Sequence, residues 1–270
     1  MSSTTPALPT PSDPALTPLS VRRGDIAAAI EGQGPVVLAV HGLPGSHRDF
    51  RYLSAGLIDL CTLVRLDLPG FGDTPARLLR GNTVVERAQL LLEVLDALKA
   101  ERAVILGHSM GAALACELAA LAPDRVAGVA LIAGPGPSPH HTYRRRRLAL
   151  MGIALRIPGV ARLLARRLRE GYERAGFPTS MTHAQRVTSV VQAGVLDFER
   201  HGANMRGLTV PALCAWAADD RLIEPEVFLA QAEACPEGPR LRFETGGHNI
   251  QKTRSLELTQ ALREWIPTLL

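Results

Sequence analysis

The sequence predicts an α/β protein, with a mainly parallel central sheet, helices on both faces and a helical cap inserted after one strand. Three observations carry this. Short apolar runs of strand length alternate with segments of helix length, the pattern of a sheet buried on both sides. That alternation breaks once, over residues 134–208, and then resumes. Hydrophobic residues make up 46% of the 270 while aromatics are only 4%, so small aliphatic side chains must fill a layered interior. The length suits one sizeable domain with an insert rather than two full cores.

Residues 1–18 hold five prolines among Ser and Thr and predict a flexible extension. They offer neither a basic start nor a continuous apolar run, so they make a poor signal peptide. Leu19–Ile30 and Val36–Val40 read as strands divided by the turn-forming Glu31-Gly32-Gln33-Gly34-Pro35. A helix is expected around Asp49–Leu57 and a buried strand at Thr62–Leu66. Helix Val84–Leu98 has apolar positions at helical spacing, with Glu86, Arg87, Glu93 and Lys99 assigned to its wet side. Val104–Leu106 is a short strand, Gly111–Leu121 an alanine-rich helix and Val126–Ile132 another strand. Strands Val210–Trp216 and Leu241–Phe243 follow, each with its helix, Pro225–Ala234 and Thr253–Ile266. The core is therefore expected to comprise residues 19–133 and 209–270.

The insert, 134–208, reads as an Arg-rich helical segment broken at Pro158-Gly159 and a further helix around Thr182–Leu196. Ten arginines lie between Tyr143 and Arg174 against only Glu170 and Glu173, whereas the whole chain carries +4. The basic character thus belongs to the cap. Nucleic acid is a poor partner, because single strands need aromatic stacking surfaces and this segment offers only Tyr143 and Tyr172. Leu148, Met151 and Leu155 form one apolar stripe, Leu164 and Leu168 another, expected to pack on the core or line a substrate pocket, with Arg162, Arg166 and Arg169 on another face. Weak contact between these arginines and an acidic membrane is a further expectation. Cys61, Cys116, Cys214 and Cys235 are too scattered for a redox or metal motif; buried thiols in a reducing cytoplasm are the plain reading. No apolar run is long enough to span a bilayer.

Chemistry concentrates at strand ends. Gly107-His108-Ser109-Met110-Gly111 lies between a strand and a helix, where a sharp turn would lift the Ser109 hydroxyl clear of the sheet. His41-Gly42-Leu43-Pro44-Gly45-Ser46 follows the Val36–Val40 strand. Its Leu43 N–H, with that of Met110, could stabilise the charge developing on a carbonyl oxygen under attack. Asp67–Asp73 is expected to shape the cavity floor. A serine needs a histidine base oriented by an acid. His248, in Gly246-Gly247-His248-Asn249 after the last strand, is the candidate base, while His108 should point elsewhere and His41 should brace its loop. The acid belongs in Trp216-Ala217-Ala218-Asp219-Asp220-Arg221-Leu222-Ile223, where spacing alone does not choose between Asp219 and Asp220.

From residue 19 to 270 these ordered elements resemble the α/β-hydrolase superfamily, and in particular its lid-bearing, esterase-like branch. That resemblance implies a Trp-Gly-x-x-Asp acid loop; Trp216 takes its first position and Asp220 its fifth, with Ala217 departing from the usual glycine. It implies the triad Ser109, Asp220 and His248, an acyl-enzyme route to carboxylic ester hydrolysis, a partly hydrophobic small-molecule substrate, and no metal or organic cofactor. Relatives that cleave haloalkanes or epoxides use an aspartate where Ser109 stands, and proline iminopeptidases differ at the His41 loop. Carbon–carbon bond hydrolysis, haloperoxidase-like perhydrolysis, peptidase action and a non-enzymatic binding module are the alternatives. Oligomeric state is not legible.

Overall fold

The computed structural model describes residues 10–141, 143, 145–157, 159–174 and 181–270. The first half of the proline-rich extension and the break at Pro158 lie outside the described residues. From residue 10 onward the extension is tied down: the Ser12 N–H donates to the Arg51 carbonyl (3.1 Å) and Arg48 pairs with Asp13. It runs into β1, Thr17–Val21.

The single segment expected over Leu19–Ile30 is instead a hairpin. β1 and β2 (Gly24–Glu31) pair antiparallel around the two-residue turn Arg22-Arg23. β1 occupies the sheet edge, the one place where Pro18 can sit without breaking a ladder. β3 (Val36–Val40) leads to a short helical stretch ending in α1 (Arg51–Ser54), then β4 (Thr62–Leu66), α2 (Val84–Ala97), β5 (Ala103–His108), α3 (Met110–Leu121) and β6 (Val126–Ile132). After the cap come β7 (Ala212–Ala217), a helix over Pro225–Ala234, β8 (Arg240–Phe243) and two C-terminal helices, Ile250–Thr253 and Ser255–Trp265. The eight strands order as β1-β2-β4-β3-β5-β6-β7-β8, parallel from β4 to β8.

Successive β3 side chains show why the central strands are continuously apolar. Leu38 and Val40 pack with α2 and α3 residues such as Leu91 and Leu114, while Val37 and Ala39 pack with Leu53, Leu258 and Leu262 on the other face. The hydrophobic effect, at ~25 cal/mol per Å² of apolar surface, therefore acts on both faces of the sheet. All four cysteines are buried.

α2 departs from its expected wet side at two positions. Arg87 and Glu93 are buried. The β1–β2 hairpin brings Arg23 onto Glu93 (3.1 Å), and the cap brings the Gln192 side chain onto Arg87 (2.9 Å). The chain leaves the sheet at β6 to build the helical cap from α4 (Arg145–Leu155), α5 (Val160–Leu163), α6 (Ala165–Arg174), α7 (His183–Ala193) and α8 (Phe198–Arg206). The helices after the cap are α9 (Pro225–Ala234), α10 (Ile250–Thr253) and α11 (Ser255–Trp265). α8 lies beyond the helix that the sequence predicts around Thr182–Leu196. Asp197 caps its first turn by accepting the Glu199 and Arg200 N–H groups, and Arg200 Nε reaches the buried Glu117 of α3 at 3.0 Å.

The expected cap stripe is partly displaced. Leu148 and Leu155 do face inward, and Leu155 clusters with Val190, Val191, Leu164 and Leu168. Met151, however, is 38% exposed. The position that approaches α7 is Gly152, where an added Cβ would meet the Val191 backbone at 3.5 Å. No helix among the described residues is long and apolar enough to cross a membrane.

Candidate active site

The end of β5 turns straight into α3, and Ser109 occupies the turn with φ 52° and ψ −121°. This is strained backbone for a residue with a Cβ, and it is held by packing around it. The Ser109 N–H donates to the Ile132 carbonyl of the neighbouring strand (2.9 Å). Gly111 has no alternative, because a Cβ there would run into the Val40 carbonyl at the end of β3. A Cβ on Gly42 would come within 2.7 Å of the Ser109 Cβ. The glycines thus let two strand-end loops close around one hydroxyl.

His248 follows β8 and returns over the sheet. Its Nε2 lies 2.9 Å from Ser109 Oγ, and its Nδ1 lies 2.7 Å from Asp220 Oδ2. The other Asp220 oxygen accepts the Leu222 and Ile223 N–H groups at 2.8 and 3.3 Å, which fixes the rotation of the carboxylate. Asp219 turns away: its Oδ1 accepts the Gly247 N–H at 2.7 Å, and that bond holds its pKa below the usual carboxylate value. The structure therefore brings Ser109, His248 and Asp220 together and leaves Asp219 bracing the histidine loop.

Leu43 and Met110 line the same cavity as Ser109 and His248. Neither backbone N–H has a hydrogen-bond acceptor among the described residues. The cavity, about 150 Å³, is closed by Tyr143, Ala193 and Leu196 of the cap and by Leu222 and Ile223 of the acid loop. Among the described residues no Lys, Arg, Asp or Glu lines it. The Asp67–Asp73 segment does not form its floor. Asp67, Gly72 and Asp73 line a neighbouring cavity of about 620 Å³ with Arg48, Arg51 and Lys252. Asp67 instead knots loops, accepting from the His47 N–H (2.8 Å), the His47 ring (2.9 Å) and the Asp73 N–H (3.0 Å).

The remaining histidines divide by role. His41 braces its loop: Nε2 accepts the Leu68 N–H at 2.9 Å, so Nδ1 carries the proton and donates to the Gly42 carbonyl at 2.7 Å. Burial pushes its pKa down to about 4. His108 does not simply point away. Its Nε2–H donates to the His248 carbonyl at 2.9 Å, and its ring lies 5.1 Å from the His248 ring. Burial, and the nearby His248, lower its pKa to about 3 and keep it neutral. Its position directly before Ser109 was the available signal. His140, unassigned from sequence, also lines the serine cavity. Beside it His141 reaches Glu224, 2.7 Å from ring to carboxylate, joining the start of the cap to the acid loop.

The family model described as alpha/beta hydrolase fold matches residues 35–157. The chain is 29% identical over 245 residues to the dihydrolipoyllysine-residue acetyltransferase component of the acetoin cleaving system of Cupriavidus necator, covering 86% of this chain but only 64% of that protein. It is 25% identical to the 2-hydroxy-6-oxononadienedioate/2-hydroxy-6-oxononatrienedioate hydrolase of Paraburkholderia phymatum, over 93% and 92% of the two chains. A thermophilic esterase from Thermogutta terrifontis superposes with a TM-score of 0.74 at 22% identity, over 95% and 99% of the two chains. This chain is an α/β-hydrolase-fold protein with an inserted helical cap.

Proposed function

We propose that the protein is a serine hydrolase that cleaves carboxylic esters of small, neutral, partly hydrophobic acids through an acyl-serine intermediate. The observation that carries this is the hydrogen-bond chain Asp220–His248–Ser109, built on a strained serine at a strand–helix turn. In this reading His248 Nε2 takes the Ser109 proton as Oγ attacks the ester carbonyl. The carbonyl oxygen becomes an oxyanion beside the Leu43 and Met110 N–H groups, two donors that spend no reorganisation when charge develops. His248 then gives its proton to the leaving alkoxide, and the C–O bond breaks. Water, deprotonated by His248, attacks the acyl-serine, and His248 returns that proton to Ser109 Oγ as the acid is released. Asp220 keeps the Nδ1 proton in place throughout.

Cleavage of a carbon–carbon bond beside a ketone is the second reading, supported by the name and near-full-length match of the Paraburkholderia protein. Its named substrates are dioic acids, whereas none of the described residues lining the serine cavity is charged; that contrast favours the ester reading. A fluorophosphonate probe followed by a substrate panel decides between them. Ser109 should label and Ser109→Ala should not, and p-nitrophenyl esters should turn over faster than 2-hydroxy-6-oxononadienedioate, the dienedioate named for that relative. Preference for the dienedioate would select the second reading, and an unlabelled but folded wild type would remove both.

A further inference from the structure

The cap carries a surface that the hydrolase chemistry does not use. α4 has two apolar sides. Leu148, Gly152 and Leu155 face inward, with Leu155 in the cluster that α7 helps to form. On the outside Leu150 is 68% exposed and Ile153 63%, with Ile157 just beyond the helix end; Leu163 of α5 adds a side chain 82% exposed. Arg146, Leu150, Ile153 and Ile157 follow at intervals of four, three and four, so a cation lies in line with the exposed apolar row. Arg146, Arg147, Arg162 and Arg167 are exposed and pair with no acid among the described residues. Arg166 and Arg169 do pair, with Glu170 and Glu173.

We propose that this outer face of the cap docks peripherally on a membrane surface containing anionic phospholipid. Single exposed aliphatic residues need no explanation, but here several share one short stretch with unneutralised arginines. A helix of this kind lies in the interfacial plane, with aliphatic side chains among the acyl chains and cations at the phosphates. Guanidinium groups match phosphate geometry and hold their charge at every physiological pH. A second copy of the same face is a poor occupant, because it would set arginine against arginine. Single-stranded nucleic acid would need stacking rings, and the exposed row is aliphatic. The proposal does not depend on the identity of the substrate.

Flotation of the full chain with phosphatidylcholine vesicles, with and without about one quarter phosphatidylglycerol, tests it at low and at about 0.5 M salt. Binding should require phosphatidylglycerol and should fall as salt rises. Arg146→Glu, Arg147→Glu, Arg162→Glu and Arg167→Glu combined should lower vesicle affinity at least about a hundredfold. Circular dichroism and fluorophosphonate labelling at Ser109 would verify that this variant remains folded. Ile153→Trp should shift its emission to the blue on anionic vesicles and remain unchanged with neutral ones. Equal binding to both vesicle types, no flotation at low salt, an unshifted tryptophan, or self-association through this face in place of flotation would each overturn the proposal.

Discussion

Replacing Asp220 by Asn tests the acid more sharply than deletion, because the structure dictates which way the new amide must face. Asp220 Oδ1 accepts two backbone N–H groups, from Leu222 and Ile223, while Oδ2 faces His248 Nδ1. An asparagine has one acceptor oxygen, and placing it on the two backbone donors turns its NH2 toward Nδ1. The imidazole must then present a lone pair at Nδ1 and carry its proton on Nε2, against Ser109, where it cannot act as base. The opposite rotamer keeps the active tautomer but sets the NH2 against two buried N–H groups, costing about 1–3 kcal/mol for each one left unsatisfied. A fall in kcat of up to about 10⁴-fold follows, equivalent to about 5.4 kcal/mol of barrier. Asp219→Asn should stay within about threefold, since an amide oxygen can still accept the Gly247 N–H with little net loss. The assay is kcat and KM on p-nitrophenyl butanoate, with thermal melts to verify folding. A severe loss for Asp219→Asn with a mild one for Asp220→Asn would refute the assignment.

Three other outcomes follow from the same geometry. Across linear p-nitrophenyl esters from acetate to dodecanoate, kcat/KM should peak between butanoate and octanoate, because a cavity of about 150 Å³ is of benzene-binding size and each buried methylene contributes about 0.8 kcal/mol; a maximum at acetate would sink this. His108, with its folded pKa near 3 against 6.5 when free, stays neutral while the unfolded chain gains a proton, so its stabilising contribution is lost as pH falls from 6.5 toward 3. His108→Gln should reduce that acid slope by about 1.4 kcal/mol per pH unit in chemical denaturation, and an unchanged slope would count against a buried neutral imidazole. Burial pushes the Asp49 carboxyl up to about 7, so its ionisation costs stability as pH rises from about 4 to 7; Asp49→Asn should flatten the melting temperature over that window, and a parallel curve would show that Asp49 ionises freely.

Local geometry was legible where a few neighbouring residues suffice to define it. Gly111 is required by the close approach of the Val40 carbonyl and Gly107 by that of the Gly111 carbonyl, and a strand–serine–helix pattern expresses both constraints within five positions. The choice between Asp219 and Asp220 was different in kind. Both sit in one loop, and what separates them is backbone direction: Gly247 from one side, Leu222 and Ile223 from the other. Only the resemblance of Trp216–Ile223 to a known loop carried that information in sequence. Arg87 and Glu93 were misread for a related reason. Their helical spacing is that of a solvated face, but distant segments, Arg23 of the hairpin and Gln192 of the cap, arrive to cover them.

The cap shows most clearly what periodicity leaves open. α4 carries apolar residues on opposite sides, whereas helical spacing singles out only Leu148, Met151 and Leu155. Close approach of α7 at Gly152 decides which side is buried, turning Leu148 and Leu155 inward and leaving Met151, Leu150 and Ile153 outside. That decision also ties the cap to the candidate site. Gln192 from α7 donates to the Pro69 carbonyl (3.3 Å) and accepts from Arg87, while Tyr143 donates to the Ala193 carbonyl at 2.7 Å and closes the serine cavity. At its other anchor His141 holds Glu224, four residues beyond Asp220. The inner side of the cap is thus joined to α2, to the β4 loop and to the acid loop, whereas among the described residues its outer side makes none of these contacts. The two stripes of α4 therefore answer to different demands, the inner one to packing on α7 above the serine cavity and the outer one, on the proposal made above, to an anionic membrane surface.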